Sequence, residues 1–365
     1  MTNAGWAVPA TIQPDELLSS WIVRSALANG CDPLAFADAI WPKWRMWCID
    51  VDRGLPAIQM EVLAASSGLP TGAIAGSALA SVAAKVSMGE LPIKNFWYWI
   101  LTLGCRNRRR YGGVQYCPGC LAEDKLPYFR KHWRYAWHTV CLRHGVMLLD
   151  RCPGCALAIQ PHRLTAESTS MGVCPICGSD LKYGTKRRFL NGEHLFQVAA
   201  DDGLAHGGQF VHGVEVPIAD WFAIARFYWA FVRRMLGGRT ESLVVFAQET
   251  GITDLKIRLG YSSIENALAT DRHGMFVGIH KIMTLSTQEM KSMLEASGVT
   301  MQAFCPNRME LPIALYDISS GLVNRSVTRT RKLKNENNPS KEPKSLRAVE
   351  RMMHRLGRKG GILGL

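Results

Sequence analysis

Between Cys117 and Cys177 the chain places four short ligand pairs: Cys117-Pro-Gly-Cys120, Cys141-Leu-Arg-His144, Cys152-Pro-Gly-Cys155 and Cys174-Pro-Ile-Cys177. The first two pairs are 20 residues apart and the last two 18. A tetrahedral Zn2+ takes four Cys or His donors, and two short pairs closing a loop supply them. Two residues between donors let both side chains reach one ion from a tight turn. The expected sites are Cys117, Cys120, Cys141 and His144, then Cys152, Cys155, Cys174 and Cys177. A redox Cys-x-x-Cys usually stands once, at a helix start in a βαβ unit, and four pairs do not fit that pattern. His138 is the alternative fourth donor to the first site, with His144 better spaced. Two structural Zn2+ ions are therefore the expected cofactors, each contributing on the order of 10 kcal/mol to folding.

Seven of the eleven cysteines fall in these pairs, leaving Cys31, Cys48, Cys105 and Cys305. Free thiols and metal thiolates suit a reducing cytoplasm. No stretch reaches the roughly 18 uncharged apolar residues of a membrane helix, and residues 1–20 lack the features of a secretory signal. The expected location is cytoplasmic, without a membrane partner.

The formal charge of +13 is concentrated. Residues 106–134 carry eight Lys/Arg against two Asp/Glu, and residues 325–365 carry twelve against three. Those two segments hold all the excess, which suits a polyanion. The candidate nucleic-acid contacts are Arg106, Arg108, Arg109, Arg110, Arg130, Lys131 and Arg134, with Arg347, Arg351, Arg355 and Arg358 on one side of a helix expected over 345–356. Around Arg130, rings and bases alternate, a pattern that fits both base stacking and a metal module's own core. The polar stretch 335–343 is expected to be disordered.

The fold class expected is mainly α, with helical, helix-turn-helix-like modules flanking a tandem zinc-finger, zinc-ribbon-like segment. A helix near Pro14, with Asp15 and Glu16 at its amino end and Gly30 after it, opens an N-terminal helical domain over 1–110. Trp41, Trp44 and Trp47 are expected in its core. Helices over 58–65 and 71–86 around Ser66–Pro70 resemble a helix-turn-helix, yet the second holds Lys85 as its only base, and a DNA-reading helix needs more. Residues 111–183 form the tandem zinc fingers and 184–217, rich in Gly and His, a linker. A C-terminal helical domain fills 218–324. Its aromatic helix runs from Trp221 to Leu236, and a capping box at Ser286 and Glu289 opens a second base-poor helix pair. The basic tail is 325–365. No phosphate loop, Gly-x-Ser-x-Gly or His-Glu-x-x-His is present, so an enzyme is not expected.

The order Tyr116-Cys117-Pro-Gly-Cys120, Trp137-His138-Thr-Val-Cys141-Leu-Arg-His144-Gly-Val-Met-Leu-Leu and Cys152-Pro-Gly-Cys155 resembles the TniQ/TnsD family of transposon target-selection proteins. The opening Pro14-Asp15-Glu16-Leu17-Leu18-Ser19-Ser20-Trp21 is similar to that family's amino-terminal signature. Length favours the shorter, TniQ-like members. The resemblance implies a non-catalytic adaptor, homodimeric in CRISPR-associated transposons. Such an adaptor links a Cascade-like guide RNA–protein complex to an AAA+ transposition regulator. In other members the protein recognises a DNA site itself, so direct, sequence-specific target binding is the alternative. The basic tail lies outside the motif, leaving DNA, RNA and protein open as its partner.

Overall fold

The computed structural model describes residues 5–91, 97–103, 114–168, 170–253, 263–306 and 309–324. They belong to the first of two compact units, Met1–Asn324, the second being Arg325–Leu365. The stretch 335–343 and the helix expected over 345–356 lie outside the described residues.

The first helix, α1 (Leu18–Ala28), starts later than Pro14 signals. Asp15 and Glu16 do other work than favouring a helix dipole. Residues 15–17 run beside 129–131, with Leu17 N–H donating to Phe129 C=O at 2.9 Å and Lys131 N–H to Asp15 C=O at 2.7 Å. Glu16 is buried, and its carboxylate accepts from Ser20 Oγ at 3.0 Å and Arg24 Nη2 at 2.8 Å. A partner more than a hundred residues away thus overrides the local helix signal. Past the strap, α1 buries Leu18, Trp21 and Ile22 against Phe36, Trp41, Met46, Leu63 and Ile74. Leu17 and Val23 face the main core.

Helix α2 (Pro33–Ile40) begins with Pro at its first turn, where a missing N–H costs nothing. Trp41 is buried, while Trp44 and Trp47 are half-buried against the same cluster. Helices α3 (Ala57–Ser67) and α4 (Thr71–Gly76) flank the expected turn, with Gly68 at φ 74° closing α3. The helix expected over 71–86 is broken. After Gly76 the backbone bends and resumes as α5 (Ala80–Val86). Ser77 C=O accepts Leu18 N–H at 3.2 Å and Leu79 N–H donates to Asp52 C=O at 2.7 Å, so tertiary bonds replace helical ones. Glycines at 72 and 76 make the break cheap.

The metal-ligand segment contributes α6 (Pro118–Glu123) and a two-residue hairpin, β1 (Val140–Cys141) with β2 (Val146–Met147). Cys141 pairs with Val146 and Val140 with Met147.

The stretch 184–217 is not a linker. It holds α7 (Leu195–His206) and the hairpin β3 (Gly208–Val211) and β4 (Val214–Pro217), antiparallel with Val211 opposite Val214. Its glycines end elements: Gly207 caps α7 at φ 87°. His212 and Gly213, at φ 51° and 81°, make the two-residue turn that matches strand twist. Phe196 and Ala200 of α7 are fully buried.

Helix α8 (Ile218–Leu236) has the expected periodicity and buries Trp221, Phe222, Ile224, Ala225, Tyr228 and Val232. It packs against α9 (Glu241–Glu249) and α10 (Ala269–Thr284). The rings of Phe196 and Phe276 stack at 4.4 Å and 7° between α7 and α10. The Ser286–Glu289 capping box forms as predicted and opens α11 (Thr287–Ala296). The following α12 (Met301–Phe304) is a single turn, and α13 (Tyr316–Ser319) packs on α11.

The domain boundaries read from composition do not separate cores within Met1–Asn324. One apolar cluster runs from Leu17 through Cys117, Cys141 and Cys174 to Trp221 and Ile318. Arg272 of α10 is fully buried and donates to Ala136 C=O and, at 2.8 Å, to Gln115 Oε1. Gln115 Nε2 in turn donates to Trp133 and His138 carbonyls at 3.0 and 2.9 Å. Buried Glu265 accepts Trp99 N–H at 2.9 Å and pairs with Arg226.

Candidate metal centres

The first four donors come from two turns. Cys117 precedes α6 and Cys120 lies in its first turn. Cys141 and His144 flank the β1–β2 turn, where Gly145 at φ 63° returns its N–H to Cys141 C=O at 2.9 Å. His144 Nδ1 lies 3.4 Å from each of the Cys117, Cys120 and Cys141 sulfurs, and Cys120 and Cys141 are 3.7 Å apart. The edges of a tetrahedron with metal–sulfur bonds of about 2.3 Å are about 3.8 Å. A disulfide would need about 2.05 Å.

Close packing fixes this geometry. A Cβ on Gly119 would stand 2.6 Å from the His144 ring. Behind the ring, Glu123 Oε1 lies 3.0 Å from His144 Nε2, with Arg143 on the other carboxylate oxygen. A carboxylate on the far nitrogen fixes a ligating ring's tautomer and orientation. The electrostatics ask for a cation. Hydrogen bonding to Cys117 and Cys141 drives the Cys120 thiol far up, while the same contacts among Cys117, Cys120 and Cys141 drive the Cys141 thiol far down. Three crowded sulfurs cannot all ionise alone; a divalent ion lets them.

The second set is built alike. Cys152 and Cys177 sulfurs are 3.5 Å apart and Cys155 and Cys174 sulfurs 3.8 Å. In both sets all four donor atoms fall within 4.8 Å of one another. Gly154 N–H points at Cys152 Sγ at 3.3 Å, and a Cβ on Gly154 would meet Ser179 Oγ at 2.2 Å. The backbone exits through Ala156 at φ 57° and Gly178 at φ 72°. Ser179 holds the exposed Cys177 thiol down to about 6 by hydrogen bonding, and burial pushes Cys174 up to about 12. Cys117, Cys120 and Cys141 are buried in the first set, whereas Cys177 is exposed and Cys155 half-buried in the second. All eight expected residues therefore meet in two four-donor clusters. His138 stands elsewhere: its Nε2 is 2.8 Å from Asp201, which also accepts Trp137 Nε1 at 2.8 Å.

The expected nucleic-acid residues fare differently. Arg134 is fully buried, held by Asp50 at 2.6 Å, Asp52 at 2.7 Å and Leu101 C=O at 2.7 Å. Arg130 is buried, paired with Asp124 at 2.7 Å and packed over Tyr128 and Trp133. Lys131 Nζ donates to Gly76 C=O at 2.7 Å, at the carboxyl end of α4. Arg130 and Arg134 hold the fold together, because carboxylates claim them first, while Lys131 is engaged at the surface on a helix-end carbonyl. Arg106, Arg108, Arg109, Arg110, Arg347, Arg351, Arg355 and Arg358 lie outside the described residues. Sequence reasoning missed Glu123 behind the first centre and the run Lys186-Arg187-Arg188, all three exposed. Three successive cations after an aromatic residue were the available signal, hidden by the linker assignment.

No helix among the described residues is long and apolar enough to cross a membrane. No curated protein matches the chain. The TniQ family model matches residues 8–148. That span takes in α1 to α6, the strap between residues 15–17 and 129–131, and the whole first cluster, stopping just after β2. The match, and the donors it encloses, give this chain a TniQ domain over residues 8–148, and that domain implies a transposition-associated role in target selection.

Proposed function

We propose that the protein is a non-catalytic adaptor that joins a target-recognition assembly, such as an RNA-guided Cascade complex, to an AAA+ transposition regulator. Each four-donor cluster holds one structural Zn2+. Four protein donors fill a tetrahedral shell and leave no open position for substrate. The observation carrying this reading is the surface of α3 and α4 inside the TniQ span. Residues 57–76 contain no Lys or Arg. Ile58 and Val62 are 72% and 36% exposed, beside solvent-facing Ala57 and Ala65. A helix pair that lacks bases and exposes apolar side chains offers apolar contact to protein, not charge to phosphate.

The test is capture of the partners encoded beside the protein. The wild type should pull down the AAA+ regulator or the target-recognition complex. Ile58→Asp with Val62→Asp should abolish one capture while zinc content and melting temperature hold, since both side chains face solvent. Folded, zinc-loaded wild type that captures neither partner would overturn the adaptor reading. Elemental analysis returning fewer than two zinc ions per chain would overturn the metal assignment.

A further inference from the structure

After the second metal cluster the chain reads Lys182-Tyr183-Gly184-Thr185-Lys186-Arg187-Arg188. The segment is anchored on the first metal module. Leu181 is fully buried. Gly184 packs so closely that a Cβ would stand 2.6 Å from Leu149 Cδ1 and 3.2 Å from Pro118 Cγ. Arg187 C=O accepts Met147 N–H at 2.8 Å, and Arg188 forms an antiparallel bridge with Val146 of β2. The backbone is thus fixed, while the side chains of Lys186, Arg187 and Arg188 are exposed. Among the described residues none of the three side chains makes a hydrogen bond or an ion pair. Carboxylates around this segment are engaged elsewhere. Asp180 holds Lys182 at 2.8 Å, Glu123 holds Arg143 and His144, and Glu193 takes Leu190 N–H at 2.7 Å and faces His273 at 3.3 Å. Tyr183, 78% exposed, presents its ring at the head of the run with Lys182 Nζ 5.1 Å from its centroid.

We propose that Lys186, Arg187 and Arg188, with Tyr183, form a docking ridge for the phosphodiester backbone of a nucleic acid. Glu193 lies within electrostatic reach of Arg187, but exposed cations with no hydrogen-bonded partner on a fixed backbone still meet phosphates without the cost of ordering a loop. Guanidinium groups match phosphate oxygens bidentately. The exposed ring adds a stacking platform that suits a base better than an acidic side chain. The ridge is independent of the adaptor reading, so failed partner capture leaves it standing.

The experiment uses the full chain, loaded with zinc, and measures binding of labelled duplex DNA, single-stranded RNA and polyglutamate by anisotropy across a salt series. Lys186→Gln, Arg187→Gln and Arg188→Gln together should weaken nucleic-acid binding at least tenfold at low salt. They should also reduce the slope of log affinity against log salt by about 2 to 3 on duplex DNA, from about 0.9 per lost phosphate contact. Whichever nucleic-acid arm responds names the source of the phosphates. Lys43→Gln, Lys85→Gln and Arg239→Gln together remove the same charge from exposed positions elsewhere and should change the slope far less. The proposal falls if the ridge variant binds as wild type does, if the control triple loses as much, or if only polyglutamate binding responds. Should the triple variant lose zinc, the single variants Lys186→Gln and Tyr183→Ser carry the same test, each with a smaller loss of nucleic-acid binding.

Discussion

Arg134 concentrates the electrostatics of the N-terminal half in one buried side chain. Two carboxylates, Asp50 and Asp52, end on it, and Asp52 also accepts Ser19 N–H and Oγ at 2.7 and 2.9 Å. Burial and the neighbouring Asp50 push the Asp52 carboxyl up, and the Arg134 guanidinium pulls it back. Removing one partner of such a group strands the others without solvent. Arg134→Ala should cost about 3–5 kcal/mol of unfolding free energy in urea melts. Adding Asp52→Asn should recover part of that loss, because the stranded charge disappears with it. If the two changes simply add, Asp52 is not the partner that matters. The sequence could not announce this role. An arginine among rings and bases reads equally well as core or contact, and the deciding carboxylates lie more than eighty residues earlier.

At the scale of elements, what was legible was local. The eight metal donors, the Ser286–Glu289 cap and the aromatic face of α8 each follow from spacing over a few residues, and each stands where spacing puts it. The late start of α1, the break between α4 and α5 and the α7–β3–β4 insertion were not legible, because distant backbone partners or unusual turn residues decide them. A His-Gly pair makes the β3–β4 turn that Asn-Gly usually signals. The second metal module reaches outward in the same non-local way. Its loop lays His162 on Trp47 at 5.2 Å, and Ala166 N–H donates to Asp32 at 2.6 Å. Cys152→Ala should therefore release one zinc, lower the melting temperature and speed amide exchange in α2 as well as in 152–179. Exchange confined to 152–179 would mean the loop does not brace the N-terminal helices.

Across the whole molecule, stability should depend on pH through buried imidazoles. Burial holds His138, His212, His273 and His280 below the ordinary histidine pKa. Below about pH 6.5 the unfolded chain takes up protons that these folded groups refuse, so stability falls on acidification and is flat above that range. His212 allows a clean test. It bonds Leu285 C=O at 2.8 Å and Tyr228 Oη at 2.6 Å from a left-handed turn position. His212→Asn suits that backbone and removes the titrating ring. With zinc in excess, urea melts from pH 7.5 to 5.5 should show a variant about 1–2 kcal/mol less stable at the upper end. Its subsequent decline should be shallower than that of wild type; an equal decline would clear His212 of the acid sensitivity.

The pairing of residues 15–17 with 129–131 bears on how the protein can be dissected. A fragment cut at the composition boundary near residue 110 would keep Glu16, Asp50 and Asp52 while losing Arg134 and the edge on which Leu17 closes. Such a piece should emerge as an insoluble product. Expression limits placed after Asn324 would carry both halves of the seam together with the helices on which its core closes, and should yield a soluble version that contains the family domain.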